Sequence, residues 1–344
     1  MTRLLTNQDI QQLLTMRDCL DVLEVAYRDY ARGLTVGSTT RVETVVPTSS
    51  PDVDYEFTSN EGAVPALGVM ALRCNSNHMA IRILDDMKRK ERLPSAPGSR
   101  YVGLVFVFSL ADLRLLGILQ DGFISAMRVG ATSALAAREL ARPDAAIIGL
   151  IGSGEQARMQ LVGLAGVRRL REVRVHSPNR QHRQDFANAL SQELNIPIRP
   201  VDSARAAVEG ADILTAATNS FEPVFDAEWI EPGMHVSAIL TFEVPGAMYE
   251  RANVVAINIQ SGYGRGQAGH YDSSVDWTRY PTLADLLVGR CTGRVNAQQI
   301  TFFMNNAGIG FQFAAVGAKA LELAEAANVG RELPDELFLQ TAHT

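Results

Sequence analysis

The segment AAIIGLIGSGEQARMQL, residues 145–161, most restricts what this chain can fold into. A short apolar run ends in Gly152-Ser153-Gly154-Glu155-Gln156-Ala157 and passes directly into a helical pattern, which reads as strand, tight turn and helix. In that setting the GxGxxA spacing has a physical meaning. The first glycine permits the turn, the second lets backbone amides approach a pyrophosphate, and Ala157 keeps the helix close to the sheet. The helix that begins near Glu155 presents free N–H groups and a positive dipole end to phosphates. The rhythm then continues through REVRVHS, QHRQDFANALSQEL, IPIRPVD, SARAAVEGA, DILTAATN, GMHVSAIL and NVVAINI. Short apolar runs alternating with helical segments predict an α/β fold with a parallel sheet covered on both faces, a Rossmann dinucleotide-binding domain.

The adenosine end is read from the second strand, which closes in VHSPNR. An NAD site usually places an acid there to hold the ribose hydroxyls, whereas this chain has Ser177, followed by Asn179 and Arg180. An uncharged tip beside an arginine suits a 2′-phosphate, so the cofactor is expected to be NAD or NADP with the balance tilted to NADP; alternatively Arg180 merely starts the next helix. Charge supports a small-molecule site. Lys plus Arg number 32 against 38 Asp plus Glu, a net −6, which argues against nucleic acid or an anionic membrane as partner. Any anion must therefore be held by a few placed arginines. Cys19, Cys74 and Cys291 form no CxxC pair, and the histidines, His78, His235 and His270 among them, lack metal-ligand spacing, so no metal is expected. His235 alternates with apolar residues and reads as a hydrogen-bonded core histidine. The first thirty residues lack the apolar block of a signal peptide, and YVGLVFVFSLADLRLLGIL is broken by Asp112 and Arg114, so it reads as two buried strands; a cytoplasmic location is expected.

The flanks differ from the middle. A helix is expected from Thr6 to about Arg32 with Asn7 as its cap, and extended structure from Arg41 to Ser76. The charged run RILDDMKRKERLPSAPGSR reads as a solvated loop or frayed helix, with an active-site lid as the alternative. DGFISAMRVGATSALAARELA and the tail from Asn305 to about Val329 read as long Ala-rich helices.

With these motifs in order, the chain resembles the ornithine cyclodeaminase/mu-crystallin family. The resemblance is carried by DGFISAMRVGATSALAARELA, GLIGSGEQARMQL and GRVNAQQITFFMNNAGIGFQFAAVGAKALELA, and it extends from Thr6 to about Gly330. It implies a Rossmann domain, residues 125–305, inserted into an α+β substrate-binding and dimerisation domain built from 1–124 plus 306–344, and a homodimer. Implied cofactor contacts come from the glycine loop, from Ser177, Asn179 and Arg180, and from Thr218 after the DILTAATN strand.

The family's chemistry moves a hydride at the α-carbon of an amino or imino acid, so the α-carboxylate must be fixed, and guanidinium suits that task. Arg128 in AMRVGAT matches one such arginine, and Arg41 before VETVV another. The family's strand lysine is replaced at Gly68-Val69-Met70, where Met70 cannot pair with a carboxylate. Arg73 either restores the charge through a shifted register or is structural, because residues 70 and 73 of a regular strand face opposite ways. Glu243, two residues before Pro245, stands where cyclodeaminases carry an aspartate and is the candidate proton carrier, a solvated loop glutamate being the bland alternative. The loop SGYGRGQAGHYDSS is a candidate cover for the site. The expected activity is imine or ketimine reduction or amino-acid dehydrogenation. Cyclodeamination of ornithine to proline and ammonia is the runner-up, and a non-catalytic, NADP-regulated ligand-binding protein the rival from another class.

Overall fold

The computed structural model describes residues 1–37, 42–84, 87–260 and 275–341. Arg41, His270 and the loop SGYGRGQAGHYDSS lie outside the described residues.

Two sheets organise the chain. The first is the expected parallel one. Its strands lie in the order Ile198–Pro200, Glu172–His176, Ile147–Ile151, Ile213–Ala216, His235–Ala238, Thr301–Met304, Val254–Ile257. Every pairing is parallel. Helices cover both faces, so the central strands are short and largely apolar, and Thr301–Met304 is buried at every position. Ile147–Ile151 has the second strand on one side and the fourth on the other, so a crevice opens at its carboxyl end, where the glycine turn begins. His235 is fully buried in this sheet, its Nδ1 3.0 Å from the Thr301 hydroxyl, as its alternation with apolar residues predicts.

The second sheet is mostly antiparallel and is drawn from both ends of the chain. Its main path runs Arg331–Leu333, Thr2–Leu5, Leu115–Gln120, Val102–Ser109, Val69–Leu84, Val53–Val64, Val36–Gly37. Val102–Ser109 and Leu115–Gln120 are the two strands read from the apolar run. The helices Met16–Ala31 and Gly310–Ala327 pack together, and Gly310–Ala327 lies on this sheet so closely that a Cβ at Gly62 would sit 2.2 Å from the Phe311 nitrogen.

Three expectations are corrected. The first helix is two, Asn7–Leu13 and Met16–Ala31, each opened by its own capping box: Thr6 with Asp9, and Thr15 with Asp18. The N-cap is therefore Thr6, not Asn7. The last helix starts at Gly310, because Asn305 and Asn306 spend their amides on buried backbone groups of the neighbouring segments. The charged run is neither loop nor frayed helix: Val69–Leu84 continues through it and pairs back onto Met87–Leu93 as a long hairpin arm. Charged residues dominate that run, while Ile81 and Ile83 on the first strand of the arm are exposed.

Candidate active site

The cleft lies between the two sheets, at the carboxyl end of Ile147–Ile151, and encloses about 770 Å³. Its floor is the glycine turn. Gly152 has φ +118°, and a Cβ there would stand 2.2 Å from the Ala217 carbonyl oxygen, so only glycine fits. Gly154 is the opposite case: a Cβ would meet no protein atom within 4 Å, and the residue lines the cleft. Ala157 is fully buried under the turn. The helix Glu155–Val167 then begins with no side-chain cap, so its first amides face the cleft. Glu155 and Gln156 line the wall, and the buried Gln156 Oε1 has no hydrogen-bond partner among the described residues. These features fit the pyrophosphate of a dinucleotide.

At the adenosine end the Ser153 hydroxyl donates to the Ser177 hydroxyl at 2.9 Å, and Asn179 caps the helix Arg180–Leu194 by accepting from the His182 amide at 3.0 Å. Ser177 and Asn179 line the cleft; Arg180 is exposed in the first turn and does not. The buried arginine nearby is Arg183, whose guanidinium is spent on the Ser177 carbonyl at 2.9 Å and on Asp202.

The opposite end is built by Arg73 and by a residue that the motifs did not reveal, Asp121. The two strand pairings across residues 69–76 run without a shift, so Met70 and Arg73 face opposite sides of the sheet. Arg73 points into the cleft, and Met70, the position expected among the substrate contacts, does not line it. Arg73 Nε donates to Asp121 Oδ2 at 2.8 Å, and Asn75 Nδ2 donates to the same oxygen at 2.6 Å. Asp121 opens the helix Asp121–Leu140, where the dipole favours an acid, and only 2% of it is exposed. A Cβ at Gly103 would collide with it at 2.0 Å. In sequence, the only signal for Asp121 was an acid at the start of a helix.

Arg128 lies two turns along the same helix. Its guanidinium carbon stands 5.0 Å from the Phe313 ring centre, and that of Arg73 stands 5.4 Å from the same ring. Arg128 Nη1 donates to Gln312 Oε1 at 3.1 Å, while Gln312 Nε2 donates to the Tyr27 and Thr132 hydroxyls. Gly308 makes room for it: a Cβ there would lie 2.6 Å from Arg128 Nη1. Arg128 is half-buried and flanks the cleft without lining it.

Glu243, the expected proton carrier, is not a solvated loop glutamate but a brace behind the cleft wall. It is fully buried and outside the cleft lining. Its Oε2 accepts from the Thr218 amide and hydroxyl, each at 2.8 Å, and its Oε1 from the Ile239 and Leu240 amides, each at 3.0 Å. Burial is the larger effect and raises its pKa above the usual carboxylate range, the four donors opposing it only in part. The carboxylate thus ties the ends of two neighbouring strands together and holds Thr218 at the cleft wall.

The hairpin arm closes the cleft from above. Arg89 forms an isolated antiparallel bridge with Ser220, just beyond Thr218. Lys90 pairs with the buried Glu56 at 2.6 Å. Arg89, Arg92 and Tyr101 line the cleft. Among the described residues no group of His, Cys, Asp or Glu could hold a metal ion, and no helix is long and apolar enough to cross a membrane.

A nucleotide-type glycine turn facing a buried arginine–aspartate pair across one cleft defines a dinucleotide-binding protein. Residues 1–317 match the profile of the ornithine cyclodeaminase/mu-crystallin family, and the chain belongs to that family. A Rhizobium meliloti protein with a provisional dehydrogenase name is 33% identical over 248 residues, 69% of this chain and 73% of that one. The alanine dehydrogenase of Archaeoglobus fulgidus is 26% identical over 352 residues, 96% of this chain and 98% of its own. The structure of Thermococcus litoralis Delta(1)-pyrroline-2-carboxylate reductase in complex with NADH and L-proline superposes with a TM-score of 0.80. It is 24% identical and covers 96% of this chain and 100% of that one.

Proposed function

We propose that this protein is an NAD(P)-dependent oxidoreductase acting at the α-carbon of a small amino or imino acid, as an imine or ketimine reductase or an amino-acid dehydrogenase. The observation that carries the reading is the shared cleft, with an open glycine turn at one end and Arg73 at the other. Relatives named as an alanine dehydrogenase and a pyrroline-carboxylate reductase support the same chemistry. The nicotinamide, when bound, supplies or takes the hydride. Arg73 and Arg128 bind and orient the substrate carboxylate, Phe313 packs beneath both guanidinium groups, and Asp121 fixes the direction of Arg73. Arg41 is proposed as a third carboxylate contact on the strength of the family resemblance. Glu155, Gln156, Ser153, Gly152 and Gly154 surround the pyrophosphate, and Thr218, braced by Glu243, forms the wall beside it.

The dinucleotide is proposed to be NAD or NADP with NADP favoured, because the second strand ends in Ser177 rather than an acid and the exposed Arg180 follows. We divide the chain into a dinucleotide unit of 125–305 inserted in a substrate and dimerisation unit of 1–124 plus 306–344. A homodimer would cover the exposed Val42, Val45, Val46, Ile81 and Ile83, each 47–68% accessible. The three cysteines, all free thiols, suit a cytoplasmic location.

Absorbance at 340 nm with NADH and NADPH, against Δ¹-pyrroline-2-carboxylate and against pyruvate plus ammonium, tests the reading. Turnover that falls at least tenfold in Arg73→Ala and Arg128→Ala is expected. Dinucleotide binding without any turnover would favour a ligand-binding protein. Stoichiometric proline and ammonia from ornithine with catalytic NAD⁺ would favour cyclodeamination.

A further inference from the structure

The charges around the cleft do not cancel. Its acids among the described residues are Asp121, already bonded to Arg73, and Glu155 at the far glycine turn. The hairpin arm adds Arg89 and Arg92, and neither has a carboxylate partner among the described residues. An exposed arginine is ordinarily just solvated. Arg92 differs in how it is held. It stands opposite Met79 in the strand pairing, on the same face of the sheet as Arg73. Its guanidinium carbon lies 4.4 Å from the centre of the Tyr101 ring, so it is positioned by an aromatic face that takes up none of its charge. The arm beneath it is fixed by Lys90 on Glu56 and by the Asn219 amide donating to the Lys90 carbonyl at 3.4 Å.

Its position is the substrate end. The Tyr101 hydroxyl lies 2.9 Å from where a Cβ of Gly122 would be, one residue from Asp121. A second cavity of about 830 Å³ meets the main cleft there, and Arg92, Tyr101 and Asp121 line both. There is therefore room beyond the α-carbon, and a fixed planar cation at its edge.

We propose that Arg92, seated on Tyr101, is a specificity residue that binds a second anionic group on the substrate, so that the preferred substrates are amino or imino dicarboxylates. This rests on the oxidoreductase reading for its α-carboxylate end. A guanidinium recognises a carboxylate through two parallel N–H···O bonds, which a neutral side chain cannot supply.

The test compares succinate with butyrate, four-carbon acids that differ in the second carboxylate. Dissociation constants are measured by calorimetry on the full chain saturated with dinucleotide, for wild type, Arg92→Ala and Arg92→Lys. Succinate is expected to bind at least tenfold tighter than butyrate. Arg92→Ala should bring the two within about threefold, and Arg92→Lys should restore part of the difference, with butyrate and dinucleotide affinities held within twofold. Equal binding of the two acids by wild type, or equal weakening of both in Arg92→Ala, overturns the proposal. A loss confined to dinucleotide affinity also overturns it and assigns the arginine to phosphates. If the succinate preference depends on Arg92 but no amino or imino acid turns over, the oxidoreductase reading falls and the anionic subsite stands. If alanine or proline turns over while succinate shows no preference, the reverse holds.

Discussion

Replacing Asp121 by asparagine removes one charge from a buried pair and almost no volume. The side chains of Arg73 and Asp121 are 11% and 2% exposed, so water can do little to compensate the cation left behind. Breaking a buried pair by removing one partner costs about 3–5 kcal/mol. Arg73 keeps the Asn75 and Thr58 oxygens and the Phe313 face, which places the expected loss toward the lower end of that range. For a unit of 150–250 residues each 1 kcal/mol lowers Tm by about 2–4 °C, so a fall of about 6–12 °C is expected for a loss of about 3 kcal/mol. Arg73→Met should cost a similar amount, since it strands Asp121 with the Asn75 amide alone. The double variant removes both charges, and its loss should fall short of the sum of the singles by about 1–3 kcal/mol. Scanning calorimetry of the four proteins, with and without dinucleotide, measures this. Additive losses, or an Asp121→Asn protein that melts with wild type, would refute the pairing as the source of rigidity at the substrate end.

Gly152→Ala should abolish dinucleotide binding while the chain still folds at reduced stability, because φ +118° and the Ala217 carbonyl at 2.2 Å leave no place for a methyl group; an intact affinity by fluorescence titration would contradict the geometry. Glu243→Gln should lower Tm, since its amide must face donors at one oxygen position, yet leave the shape of the kcat–pH profile unchanged; disappearance of a limb of that profile would return Glu243 to proton transfer. Burial and the nearby Arg294 and Arg168 lower the His235 pKa to about 3. Below the unfolded value near 6.5 only the unfolded chain takes up this proton. Stability due to a neutral His235 is therefore complete above pH 6.5 and is lost, by about 1.4 kcal/mol per unit, as pH falls toward 3. His235→Gln should flatten urea-unfolding stability across that window relative to wild type, and parallel pH curves would refute the assignment.

What the sequence made legible was local and covalently spaced. The glycine turn, Ala157 and the Ser177 tip are fixed by residue spacing within one strand–turn–helix unit, and they fall where that spacing puts them. Arg73 was visible as a charge, but its facing depended on register, which two neighbouring strands set. Glu243 was found at the right loop, but its bracing contacts were hidden, because its four donors come from segments that meet it only in the fold. The arm carrying Arg89 and Arg92 was hidden most completely. A run dominated by charge gives little apolar periodicity to betray a strand when the partner is the chain's own preceding segment.

The helix Asp121–Leu140 begins at the substrate end and continues alongside Glu155–Val167, the helix that carries the glycine turn. The two touch through bare backbone: a Cβ at Gly130 would lie 2.2 Å from the Met159 carbonyl oxygen, and one at Gly163 would lie 2.6 Å from that of Gly130. Contact of that kind permits no sliding and no spacer. The glycine turn is thus not a cassette that could be transplanted by joining loops. Any graft would have to carry both helices across together, and with them Asp121, so exchanging the glycine turn by recombination would also bring along the opposite wall of the cleft.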